Sequence, residues 1–117
     1  MSKESEILVQ LKTTPEAVTF SDVIEAIEAN YTFTPTSFNN GSLHNEAGQN
    51  SGSCKVFAFA QLHALSPEQT LQLFGDYYRK DVLLNPTGSD HQNIRNFMKT
   101  GWKGIEFSAK ALQKITP

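Results

Sequence analysis

The run CKVFAFAQLHAL, residues 54–65, constrains the fold more than any other stretch. Wound as a helix, it sets Val56, Phe59, Ala60 and His63 on one face and Phe57, Ala58 and Ala64 over much of another. A helix apolar most of the way round has to be covered on several sides, so this one belongs at the centre of a core. A chain of 117 residues with 38% hydrophobic content can bury one such core without metals or disulfides. No repeat and no low-complexity linker divides it, so residues 1–117 are expected to form a single domain.

The partners of that helix are legible as stripes. ESEILVQLK aligns Ile7, Leu8 and Leu11, and FSDVIEAIEANY aligns Val23, Ile24, Ile27 and Tyr31 while Glu25 and Glu28 face water. Between them Thr14 before Pro15 reads as an N-cap and first-turn proline. SPEQ, residues 66–69, is a capping box, and its helix carries Leu71, Phe74, Tyr77 and Tyr78 before stopping ahead of NPTG. Ser89 or Asp90 can cap a last helix in DHQNIRNFMKTG, with Ile94, Phe97 and Met98 inward and Gly101 as its stop.

Elsewhere the period changes to two. YTFTPTSF alternates Tyr31 and Phe33 with threonines, and Pro35 confines it to an edge strand. NNG at 39–41 signals a turn, and SLHNEA would be the return strand. WKGIEF suits a short strand or a 3₁₀ turn. The expected class is α+β: a mostly helical domain of five or six helices with one small antiparallel hairpin.

A net charge of −2, with acids and bases interspersed, excludes a general nucleic-acid or anionic-membrane binder. A lone cysteine forms no internal disulfide, which favours a reducing cytoplasm. MSKESEILVQLKTT has too short an apolar run for a signal peptide, and no stretch approaches a membrane span.

Three constellations could carry chemistry. Cys54 follows Gly-Ser at a helix start, where amide dipoles and Lys55 would favour a thiolate; His91 as base with Asp90 or Asn93 as orienting group would complete a cysteine hydrolase or transferase. The surroundings depart from the papain pattern, which needs another cysteine, a tryptophan and a distant histidine. The plainer reading is a small buried residue opening a core helix. His44, His63 and His91 with Cys54 lack the paired spacing of a zinc site, so no metal is expected. The amide-rich loop NNGSLHNEAGQNSGS offers Asn39, Asn40, His44, Asn45, Glu46, Gln49, Asn50 and Ser53 as directed donors and acceptors with little net charge. Such a loop either binds a polar ligand or satisfies its own backbone. NPTGSDH opens a helix but lacks the Lys-Ser/Thr of a phosphate loop.

FNNGSLHNEAGQNSGSCKVFAFAQLHAL, LFGDYYRKDVLLNPTGSDHQNIRNFMKTGW and GIEFSAKAL together resemble the HopJ type III effector family, from about Tyr31 to Leu112. The resemblance implies small bacterial proteins, some injected by plant pathogens, and brings no established activity, cofactor or catalytic residue. The function expected is a binding or interaction module. Its amide-rich loop and the helix start at 89–95 would share one concavity, taking a small polar ligand or a protein partner, with no cofactor.

Overall fold

The computed structural model describes residues 3–115. Helix α1, Lys3–Thr13, lays Ile7 and Leu11 onto the core. A single 3₁₀ turn, Pro15–Ala17, follows. Thr14 occupies its N-cap position, but its side chain accepts no cap bond. The capping threonine is instead Thr19, whose hydroxyl accepts from the Asp22 amide at 3.2 Å and starts α2, Phe20–Asn30. Val23, Ala26 and Ile27 of α2 are buried, and Glu25 and Glu28 are exposed.

The hairpin around Asn39–Gly41 forms, but its strands differ from expectation. β1, Tyr31–Phe33, pairs antiparallel with the chain's far end, β5 (Leu112–Lys114), in the register Tyr31↔Lys114. Pro35 has no N–H to extend the ladder, and Thr36 Oγ1 donates to the Thr34 carbonyl at 2.8 Å, turning the chain away. The outgoing strand of the hairpin is therefore β2, Phe38–Asn40, returning as β3, Leu43–Asn45. WKGIEF does both things expected of it. Gly101–Gly104 is a 3₁₀ turn, and β4, Ile105–Phe107, pairs with β2 to give a sheet ordered β3-β2-β4.

Helix α3, Ser51–Leu62, runs through the middle with Cys54 and residues 56–60 all buried. Phe57 is its hub. Its ring lies 5.0 Å from Phe97, 5.4 Å from Phe74, 6.0 Å from Phe38 and 6.5 Å from Trp102, centroid to centroid. Edge-to-face and tilted pairs of this kind add about 0.5–1.5 kcal/mol each beyond burial.

The capping box appears as read, Ser66 and Gln69 bonding each other's backbone amides at the head of α4, Pro67–Gln72. The helix does not continue to Tyr78. Gly75 takes a left-handed φ of +62°, and a Cβ there would sit 2.8 Å from the Phe20 amide nitrogen. The chain turns at that close approach and resumes as a wider π-helical segment, Tyr77–Val82. Arg79 locks it down, donating to the Pro15 and Val18 carbonyls and to Gln72 Oε1.

Helix α5, Gln92–Thr100, buries Ile94 and Phe97 and stops at Gly101. Met98, expected inward, is 45% exposed. One residue beyond Phe97 is a rotation of about 100°, and the other buried positions of α5 are polar: Asn93 and Arg95.

Candidate functional site

The hairpin, the start of α3 and the start of α5 are joined by a buried amide network. Asn40 Nδ2 donates to the Asn93 carbonyl at 2.8 Å and to Asn93 Oδ1 at 3.0 Å. The backbone carbonyl fixes that amide's orientation, and the rest follows in sequence. Asn45 Nδ2 donates to Asn93 Oδ1, Asn93 Nδ2 donates to Asn45 Oδ1, and Asn50 Nδ2 donates to Asn45 Oδ1 at 2.7 Å. Asn40 and Asn45 are fully buried. Asn40 Oδ1 is the only buried side-chain polar atom without a partner among the described residues.

Above this network lies a recess of about 520 Å³. Phe20, Phe74 and Tyr77 form its aromatic wall; Asn50, Gly52 and Ser53 come from the α3 start, and His91, Gln92 and Asn93 from the α5 start. Phe20 lies 5.2 Å from Tyr77 edge-on and 6.3 Å from Phe74. The N-cap residues Asn50 and His91 are both left-handed, φ +50° and +48°, and neither side chain caps its helix. Ser89 and Asp90, the caps expected for α5, are displaced from that role. Asp90 is bound to Arg95, Oδ1 to Nη2 at 2.6 Å, and this guanidinium holds its carboxyl below the usual range.

The single concavity expected for the polar loop is divided. Asn50, Ser53 and His91 line the recess, while Asn40 and Asn45 lie beneath it as structure. Asn39, His44 and Glu46 are on the outer face of the hairpin. There His44 Nδ1 bonds Asn39 Oδ1 at 2.6 Å and Nε2 bonds Glu46 Oε1 at 2.8 Å, beside a hollow of about 180 Å³. Gln49 accepts from the Glu46 amide, closing its own loop.

Cys54 is 1% exposed, and its thiol donates to the Thr36 carbonyl at 3.6 Å. Burial pushes the thiol pKa up, outweighing that hydrogen bond and the nearby Lys55 charge. Lys55 itself pairs with Glu28. His91 is oriented by Asp81, Nε2 to Oδ2 at 3.1 Å, with Asp90 farther off at 3.9 Å. Among the described residues no imidazole is hydrogen-bonded to the sulfur, so Cys54, His91 and Asp90 do not form the nucleophile, base and orienting group set out from sequence. Also among these residues, no group of three or more His, Cys, Asp or Glu side chains could hold a metal, and no helix is long and apolar enough to cross a membrane.

One cluster escaped sequence reading altogether. Glu4, 7% exposed, accepts from Tyr31 Oη at 2.5 Å, from His63 Nε2 at 3.2 Å and from Lys114 Nζ at 3.2 Å. His63 was expected as a core histidine with one bond; it also reaches Tyr31 Oη at 3.2 Å. Burial together with Glu4 drives the Tyr31 phenol pKa far up. These four residues lie up to 110 positions apart, and no local motif signals them.

The chain shares its fold with a solved crystal structure of a protein of unknown function, VPA0580. The two are 51% identical and superpose with a TM-score of 0.93, over 95% of this chain and 92% of that one. No curated protein matches. The family model for HopJ type III effector protein matches residues 4–112, which takes in the amide network, the recess and the core helix alike. The chain belongs to the HopJ type III effector family.

Proposed function

We propose that this protein is a small-ligand binding module whose site is the recess between the starts of α3 and α5. The observation that carries the reading is that aromatic walls and polar groups with unspent hydrogen-bonding capacity meet in one hollow of about 520 Å³. Ligand sites typically combine an apolar lining with a few placed polar groups in this size range. Ser53 and Tyr77 line it, their hydroxyls without a partner among the described residues, and the amide network fixes the Asn50 side chain. A cytoplasmic setting fits a lone, buried thiol.

An amide-resolved NMR screen with a fragment library tests the proposal. Shifts clustered on Phe20, Ser53, Tyr77, His91 and Gln92 are expected, and a Ser53→Phe variant that fills the hollow should lose them. Fragments that gather instead at the second hollow of about 550 Å³, beside Val82 and Met98, or that perturb nothing, sink the proposal.

A further inference from the structure

We infer that the recess takes an uncharged, planar nitrogen heteroaromatic whose edge both donates and accepts hydrogen bonds; this rests on the binding reading above. The lining contains no Lys, Arg, Asp or Glu. A charged ligand buried there would lack a counter-ion, and an unpaired charge is costly to desolvate. The adjoining hollow, which shares Phe20 and Tyr77, does hold two acids, and these oppose an anion. Their charge is already shared with neighbours, which weakens their pull on a cation: Asp81 bonds His91 at 3.1 Å, and Asp76 lies 3.6 Å from Lys80 and 3.9 Å from Arg79. The helix starts supply backbone donors, but a helix end amounts to about half a charge and does not neutralise a full anion by itself.

The unspent side-chain atoms set the polarity of the ligand's edge. Asn50 Nδ2 spends one N–H on Asn45 and Gln92 Nε2 spends one on the Ser89 carbonyl, so among the described residues each amide keeps its oxygen and a second N–H. His91 spends Nε2 on the Asp81 carboxylate at 3.1 Å. Amide groups that both donate and accept call for a ligand edge carrying both N–H groups and ring-nitrogen acceptors, and the Phe20, Phe74 and Tyr77 rings call for a flat π-system to pack against. Amino-substituted heteroaromatics meet both demands without charge.

Adenine, benzoate and benzamidine, titrated against the full chain under amide-resolved NMR, separate the classes. Adenine should shift Ser53, His91 and Gln92, with both charged probes at least tenfold weaker. Ser53→Ala removes a hydroxyl that has no partner among the described residues, so the fold should stand while adenine weakens about five- to tenfold, as loss of one hydrogen bond implies. Tighter binding of benzoate or benzamidine at the recess overturns the ligand class and leaves the site intact. Adenine binding that ignores Ser53→Ala, or no response to any probe, overturns the inference, and the fragment screen then decides the recess itself.

Discussion

Asn93 on α5 and Asn45 on β3 exchange a reciprocal pair of side-chain hydrogen bonds, Nδ2 to Oδ1 at 3.0 Å in one direction and 3.2 Å in the other. The pair bridges 48 residues of sequence and is shared on both sides, with Asn40 donating to one oxygen and Asn50 to the other. It is the joint that holds the floor of the recess.

Removing one member leaves buried amides without partners. Asn45→Ala should therefore destabilise the protein by about 2–4 kcal/mol, since each orphaned buried polar group costs about 1–3 kcal/mol. His44→Ala, on the exposed face one residue earlier, should stay within about 0.5 kcal/mol. Urea denaturation of the two variants provides the comparison; equal, small losses would show that the amide network contributes little.

The Glu4 cluster makes stability fall in acid. Burial alone would raise this carboxyl, but the hydrogen bonds from Tyr31, Lys114 and His63 outweigh it, and its pKa lies below the ordinary 4.5. A depressed folded-state value means that the stabilisation is complete above the unfolded pKa and is lost as pH falls through the folded one. Glu4→Gln should thus cost about 1–3 kcal/mol near neutrality, the range for charge-assisted bonds. The gap from wild type should close progressively below pH 4.5. Thermal melts at a series of pH values read this out, and a gap that persists unchanged in acid would show that the carboxylate charge is not the cause.

Cys54 should resist alkylation in the native protein and react readily in urea, because reagents need an accessible thiolate and this sulfur is buried with a raised pKa. Rapid native labelling, with a pH profile shifted below that of a free thiol, would restore the nucleophile reading of the GSC motif.

At Gly75, alanine meets both a positive φ and a backbone atom at 2.8 Å. Gly75→Ala should cost about 1–3 kcal/mol, the scale of a residue forced into left-handed backbone, with more where Phe20 cannot yield. Differential scanning calorimetry checks it, and an unchanged melting temperature would mean that the α2 start relaxes easily.

Local chemistry was readable from the chain wherever a few neighbouring residues settle the outcome. The all-round apolar pattern of residues 54–65 made α3 central, Ser66 and Gln69 wrote their own capping box, Gly101 ended α5, and Gly41 of the Asn-Asn-Gly signal turned the hairpin, with Asn39 and Asn40 in its outgoing strand. The polar residues 38–54 were visible as a group, but not their division into a buried floor, a recess wall and an outer face. A β-strand alternates sides every residue, so one step separates exposed His44 from buried Asn45, and only the packing of α5 says which side is inside. The pairing of β1 with β5, the break at Gly75 against α2, the Asp81–His91 pair and the Glu4 cluster were likewise decided by tertiary structure. Each joins elements distant along the chain or sets a backbone approach that no local spacing encodes. The sequence determined which segments could be helices and which one had to be the core; the closing of those segments on one another determined where a ligand could sit.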